Sequence, residues 1–257
     1  MKKLFFTIVS VVLINAFTEA QVVVDTEYDE ALFKARVSLV EDFMRRFNEG
    51  TILPLFDGTM FGHQGENDSL YKEAQKFAAA ARKSGVKLSN TDTNWVALAP
   101  CSGKFKGKPV DFMLILNTEK YAPDAYKWVI AGVQGDIFKL TPSSYNIDFL
   151  ISPLAHEVNF MELGRITMQK DDLILNYKQK RYELDETAVF FAYVYEGLLD
   201  IEHVKGLQFM FLQVPGWSFT IEEFNRQTMN SGWLITSFSK MSDTEKKAFL
   251  QNVYHKK

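Results

Sequence analysis

Apolar residues recur at intervals of three and four between Tyr28 and Glu49, which is the spacing of one face of an α-helix. Gly50 follows and is a typical helix stop. A second helix is predicted from Asp68, a residue type that caps helix N-termini, to Gly85. Its apolar positions again repeat at helical spacing: Leu70, Ala74, Phe77, Ala78 and Ala81. Two helices therefore precede the first predicted strand.

The period then changes to that of strands, in segments rich in Val, Ile, Phe, Trp and Tyr and separated by Gly, Pro, Asn and Lys. The predicted strands are Trp95–Ala99, Val110–Leu116 and Tyr126–Val133. The middle strand is apolar on both faces near its centre, which suits a strand covered by helices on one side. An antiparallel meander packed on the two N-terminal helices is the arrangement we expect.

The next 60 residues or so give weaker signals. A Ser-Pro start predicts a short helix over Ser152–Gly164, and a hairpin is predicted over Ile166–Tyr177. The stretch Thr187–Asp200 fits either helical or strand periodicity, and a helix capped by Asp185 is favoured.

A second aromatic meander follows, with predicted strands at Leu207–Val214, Trp217–Glu223 and Trp233–Phe238. Pro215–Gly216 predicts a wider loop or bulge, because two-residue hairpins favour turns that Pro cannot adopt. Ser242 and Glu245 form a capping box, which predicts a C-terminal helix through Tyr254.

The fold class predicted is therefore α+β, with helices packed on antiparallel meander sheets. The two halves of the chain after residue 20, 21–145 and 146–257, form either two lobes or one continuous sheet. In its helix, helix, meander order, the segment 28–140 resembles the cystatin-like and nuclear-transport-factor-2-like folds. Those folds include both enzymes and binding modules, so the resemblance implies a fold and no function.

The first 20 residues have the pattern of a cleaved secretory signal. Lys2 and Lys3 precede an apolar run, Leu4–Ile14, whose length of roughly 16 Å as a helix is too short for a bilayer core of about 30 Å. Thr18 and Ala20 are the small residues that signal peptidase needs, so Gln21 is the predicted mature N-terminus. We expect a periplasmic or secreted protein.

Charge and composition exclude several partners. The formal net charge is −3 and no Lys or Arg cluster is present, which argues against nucleic-acid binding. No later apolar run is long enough to span a membrane, so we expect no membrane insertion after signal cleavage. One cysteine cannot form an intramolecular disulfide, and 47% hydrophobic residues provide a core instead.

The sequence predicts no catalytic site, no metal site and no cofactor. The four histidines lack the spacing of a metal site: His63, His156, His203 and His255. Cys101 has no histidine near it in sequence and is interpreted as a buried small side chain. Carboxylates that a hydrolase site assembled from distant residues could use include Glu157, Glu162, Asp171 and Asp172.

Aromatic residues are concentrated between Phe190 and Phe238, and most of them must be core. Three beside the predicted turns are the candidate ligand- or partner-binding residues: Trp217, Phe219 and Trp233. The sequence thus predicts an exported, non-catalytic binding or accessory protein that takes a protein or carbohydrate ligand. The alternative is a secreted, glycosidase-like hydrolase that uses carboxylates.

Overall fold

The computed structural model describes residues 40–61, 68–123, 125–140, 175, 177–179, 185–227 and 229–253. The predicted signal peptide and the short helix Ser152–Gly164 lie outside these residues, as does the hairpin Ile166–Tyr177 apart from Leu175 and Tyr177. So does the start of the first predicted helix.

Both N-terminal helices are present where the structure describes them. Residues 40–48 are helical (α1), and Gly50 adopts a φ of +88° just after them. Helix α2 spans Ser69–Ser84; the Asp68 side chain accepts a 2.7 Å hydrogen bond from the backbone N–H of Leu70, and Gly85 ends the helix with a φ of +65°. The cap and stop residues read from the sequence are confirmed.

The sheet has seven strands, and all strand pairs are antiparallel. They are β1 (Trp95–Phe105), β2 (Lys108–Ala122), β3 (Ala125–Gln134), β4 (Leu199–Val204), β5 (Gln208–Phe211), β6 (Trp217–Phe224) and β7 (Gly232–Lys240). The order is β3-β2-β1-β5-β6-β7, and β4 also pairs with β1. The α+β meander class is confirmed, and the two meanders join as one continuous sheet through the pairing of β1 with β5.

The segment that was ambiguous in sequence forms both a helix and a strand. Helix α3 spans Glu186–Tyr195, and Asp185 accepts a 2.8 Å hydrogen bond from Thr187 N–H, so the favoured helix is confirmed. The helix ends earlier than predicted because Gly197, with a φ of +64°, turns the chain into β4. Strand β4 was not predicted from the sequence.

The β1–β4 pairing requires a glycine. The register shifts between Ser102 and Gly103, and a Cβ on Gly103 would lie 1.9 Å from the carbonyl oxygen of Asp200. Any side chain there would push the two strands apart, so this bulge depends on glycine.

The C-terminal signals also match the structure. Ser242 N–H donates to Glu245 Oε2 at 2.7 Å and Glu245 N–H donates to Ser242 Oγ at 3.3 Å, which is the predicted capping box at the start of α4 (Asp243–Val253). The loop 212–216 between β5 and β6 is wider than a two-residue hairpin, as predicted, and contains a turn in which Trp217 N–H donates to the Val214 carbonyl at 3.1 Å.

One face of the sheet, called here the inner face, carries two hydrophobic clusters. Helices α1 and α2 contact the first, where Phe47 stacks on Phe219 of β6 with ring centroids 5.4 Å apart. Helix α3 contacts the second, where Phe190 lies 5.8 Å from Phe138. Strand β2 is buried on both faces over residues 112–115, as its sequence predicted.

Candidate functional site

The three aromatic residues predicted to bind a ligand are all packed into the inner-face core. Their exposed fractions are 8% for Trp217, 1% for Phe219 and 5% for Trp233. The Trp217 ring meets Phe77 of α2 edge to face at 5.5 Å, so α2 covers a side chain that its place beside a predicted turn suggested was open to a partner. A binding role for these residues stays a prediction.

Cys101 is buried at 1% exposure, as the sequence predicted. Its Sγ donates to the Ala99 carbonyl at 3.3 Å, and burial raises the pKa of the thiol to about 11. His203 of β4 pairs with Ser102, whose side chain lies on the opposite face of β1 from Cys101. Among the described residues, the geometry therefore provides neither a thiolate at neutral pH nor a histidine beside the thiol.

A network of polar residues joins the β6–β7 hairpin to the loop after α1. Asp57, buried at 5% exposure, accepts hydrogen bonds from Thr59 N–H and from Thr59 Oγ1, each at 2.9 Å, and from the Arg226 guanidinium. Asn230 Nδ2 donates to the Phe56 carbonyl at 2.6 Å. These bonds tie together segments about 170 residues apart in sequence, so the network fixes the edge of the sheet at β7.

Two carboxyl groups of this region have pKa values shifted in opposite directions. Burial raises the pKa of Asp57, but the hydrogen bonds from Arg226 and Thr59 outweigh it, so the net pKa is lowered. Burial raises the pKa of Glu222, and the negative charge of Asp57 raises it further. The Thr236 hydroxyl donates a 3.0 Å hydrogen bond to Glu222 and lowers the pKa in part, but the net pKa is raised. Glu222 therefore gives up its proton less readily than an ordinary glutamate, and Asp57 more readily than an ordinary aspartate; a pair of carboxyl groups whose pKa values are shifted apart is a pattern of acid–base sites.

A shallow concavity of about 550 Å³ lies between α1 and residues 87–90. Its polar groups bond to one another: Asn48 Nδ2 donates to the Leu88 carbonyl at 2.9 Å, and Leu88 N–H donates to Asn48 Oδ1 at 2.7 Å. Arg45 pairs with Asp42 on the same helix and with Glu49 directly after it. The two bonds of Asn48 attach α1 to the loop before β1. The polar contacts described here therefore explain the groove as a structural feature.

Helix α3 exposes an apolar surface. After its first two residues every side chain is apolar or aromatic, so the helix has apolar residues on all sides. Val189 and Phe190 face the core, whereas Phe191 is 51% exposed, Val194 43% and Tyr195 88%. A helix that is apolar on every side is normally buried on every side, so this outer face is unusual on a protein surface.

A second exposed aromatic lies at the edge of the sheet. Trp128 of β3 is 39% exposed, and its ring is 4.8 Å from that of Trp95 on β1 and 6.0 Å from that of Phe209 on β5. Trp95 is 4% exposed, and its indole Nε1 has no hydrogen-bond partner in the part of the chain that the structure describes.

Sequence reasoning missed both exposed aromatic surfaces. Trp128 and Tyr126 are two residues apart in an edge strand, so both lie on one face of it. This spacing alone does not distinguish a core tryptophan from an exposed one. For α3 a signal was present in the sequence: every residue from Ala188 to Tyr195 is apolar or aromatic. A helix that packs through one face needs apolar residues on that face only, so this run indicates a second apolar face.

Within the described ranges, no group of three or more His, Cys, Asp or Glu residues is placed to hold a metal ion. No helix among those residues has both the length and the apolar character needed to cross a membrane. No protein-family model matches the chain, and comparisons with curated proteins and with solved structures also gave no match.

Proposed function

We propose that this chain is an exported, non-catalytic binding protein whose partner is another protein that docks on the outer face of α3. The observation that carries the proposal is the exposure of three large apolar side chains, Phe191, Val194 and Tyr195, on one short helix. Export is supported by the basic and apolar start of the chain and the small residues at Thr18 and Ala20.

The chemistry of the α3 surface indicates the kind of partner. Aromatic residues concentrate at protein interfaces because they bury large areas at a small cost in side-chain entropy. Exposed carboxylates border the patch where the chain leaves the helix, at Glu196 and at Asp200 of β4. An apolar partner surface flanked by basic side chains complements this arrangement.

The test uses the exported protein and the Tyr195→Ala variant in pull-downs from an envelope extract, followed by titration of the captured partner. Tyr195 is 88% exposed, so we expect the melting temperature to stay unchanged and partner affinity to fall by more than about 1 kcal/mol. Tyr121→Ala, which removes a tyrosine 64% exposed at the end of β2, is the matched control and should bind normally. Equal binding by both variants and the wild type would refute the α3 surface.

Export is tested separately by intact mass. The exported species should begin at Gln21, and a species that retains Met1–Ala20 would contradict signal cleavage.

A second candidate function, a carboxylate-based hydrolase, is favoured by the divergent pKa values of Asp57 and Glu222. Its test is hydrolysis of aryl glycosides by the wild type and by Glu222→Gln. An activity that Glu222→Gln abolishes without unfolding would support the hydrolase over the binding protein.

A further inference from the structure

The indole N–H of Trp95 is a buried hydrogen-bond donor without an acceptor in the part of the chain that the structure describes. A buried donor without an acceptor costs about 1–3 kcal/mol, so such groups in folded proteins call for an explanation. The polar side chain nearest in the β1–β2 register, Thr118, directs its hydroxyl to the Asp92 carbonyl at 3.2 Å. The Trp95 Nε1–H therefore has no acceptor among the described residues.

The aromatic ring of Trp128 packs against that of Trp95, with 4.8 Å between ring centroids and 61° between planes. Trp128 belongs to β3, which is the last strand of the sheet order on that side. With 39% of its surface exposed, the indole presents apolar area to solvent. Trp128 is therefore an exposed ring in direct contact with Trp95, the residue that carries the unpaired N–H.

The same face of the hairpin continues with aromatic and cationic groups. Lys120 of β2 pairs with Tyr126 of β3, and the Lys120 Nζ lies 5.9 Å from the centroid of the Tyr126 ring. Along the β2–β3 register Tyr126 is two residues from Trp128, so the two rings share one face of the sheet.

We propose that Trp128, Trp95 and Tyr126 form a binding site for a saccharide, separate from the α3 surface. A sugar ring has an apolar C–H face, which stacks on an open indole, and hydroxyl and ring oxygens, which accept hydrogen bonds. The site offers donors, Trp95 N–H and the Lys120 ammonium, so its complement is a ring rich in acceptor oxygens. A flat apolar ring without oxygens would leave the Trp95 donor unpaired, and would be bound less well.

The test is calorimetric titration of the purified exported protein with three neutral trisaccharides: β-linked glucose, β-linked N-acetylglucosamine and α-linked glucose. At least one should bind, with a change in the intrinsic tryptophan fluorescence. Trp128→Ala should weaken that binding about tenfold or more, which is about 1.4 kcal/mol. Trp95→Phe, which keeps a ring and removes the N–H, should weaken it as well, while Trp128 stays in place.

Two variants serve as controls. Tyr121→Ala removes an exposed aromatic at the end of β2, and Tyr195→Ala removes the main side chain of the α3 surface; neither should change saccharide affinity. Because Tyr195→Ala alters only protein docking, the saccharide site and the proposed function fail or succeed independently.

Three results would overturn the inference: no trisaccharide binds the wild type, Trp128→Ala binds as the wild type does, or indole, a flat ring without oxygens, binds more tightly than every sugar. Urea denaturation of Trp95→Phe checks its fold. If that variant does not fold, the half-exposed Trp128→Ala variant decides the outcome alone.

Discussion

Truncation of Trp217 to alanine tests whether this side chain is core or recognition surface. Loss of the indole removes roughly 150 Å² or more of apolar area, and at 25 cal/mol per Å² this amounts to about 4 kcal/mol. The 8% exposure of Trp217 means that nearly all of this area is buried in the folded protein. The edge-to-face contact with Phe77 and the Lys240 ammonium 5.8 Å from the ring centroid would also be lost. We therefore expect Trp217→Ala to lower the free energy of unfolding by about 3–5 kcal/mol.

The assay is equilibrium urea denaturation followed by circular dichroism. With a denaturant dependence of about 2 kcal/mol per molar, the midpoint should fall by about 2 M in urea. Trp128→Ala is the matched control, because it removes the same side chain from a position that is 39% exposed, and its midpoint should fall clearly less. If Trp217→Ala denatures at the wild-type midpoint and loses partner binding, then Trp217 is a contact residue, and our view that it belongs to the core is wrong.

Three further predictions concern titratable groups. The lowered pKa of Asp57 gives stability that is fully present above pH 3.8, the usual pKa of an aspartate, and is lost as pH falls through the folded-state pKa. Removing the paired cation with Arg226→Met should lower the free energy of unfolding at pH 7 by about 3–5 kcal/mol. An unchanged urea midpoint would contradict this. The raised pKa of Glu222 gives stability that is fully present below pH 4.5, the usual pKa of a glutamate, and is lost as pH rises through the folded-state pKa. Glu222→Gln should therefore reduce the fall in the free energy of unfolding over that pH range, as measured by unfolding curves at several pH values. Cys101, with a pKa of about 11, should react with a thiol-specific chromogenic disulfide at pH 7 only after unfolding, and rapid native labelling would refute its burial.

The sequence predicted those parts of the fold whose signals are local. Asp68 and Asp185 cap helices through hydrogen bonds to residues two positions away, and the Ser242–Glu245 box spans three. Strand alternation is equally local, so both meanders were recognised, although β1 and β2 extend beyond their predicted ends. These contacts depend on neighbouring residues, which a single sequence displays directly.

What the sequence did not predict depends on pairing between distant residues. Strand β4 was missed because Leu199–Val204 acquires its role only beside β1, about 100 residues earlier. The bond between Arg226 and Asp57 joins residues 169 positions apart, and neither has a local motif. Trp217 is beside a turn in sequence, yet Phe77 from α2 covers it. Tertiary packing decided each of these cases.

The register of the sheet explains why one tryptophan of the aromatic row is exposed. Across the inner face, Phe219 of β6 pairs with Phe211 of β5, which pairs with Trp95 of β1, and Trp128 of β3 follows beyond Thr118 of β2. Exposure along this row is 1%, 0% and 4%, and then 39% at Trp128. Edge strands usually carry charged or polar side chains that discourage association. An indole at the open end of the row runs against that tendency: one side of it packs on Trp95 and Phe209, and the proposed saccharide site would give its exposed side a partner.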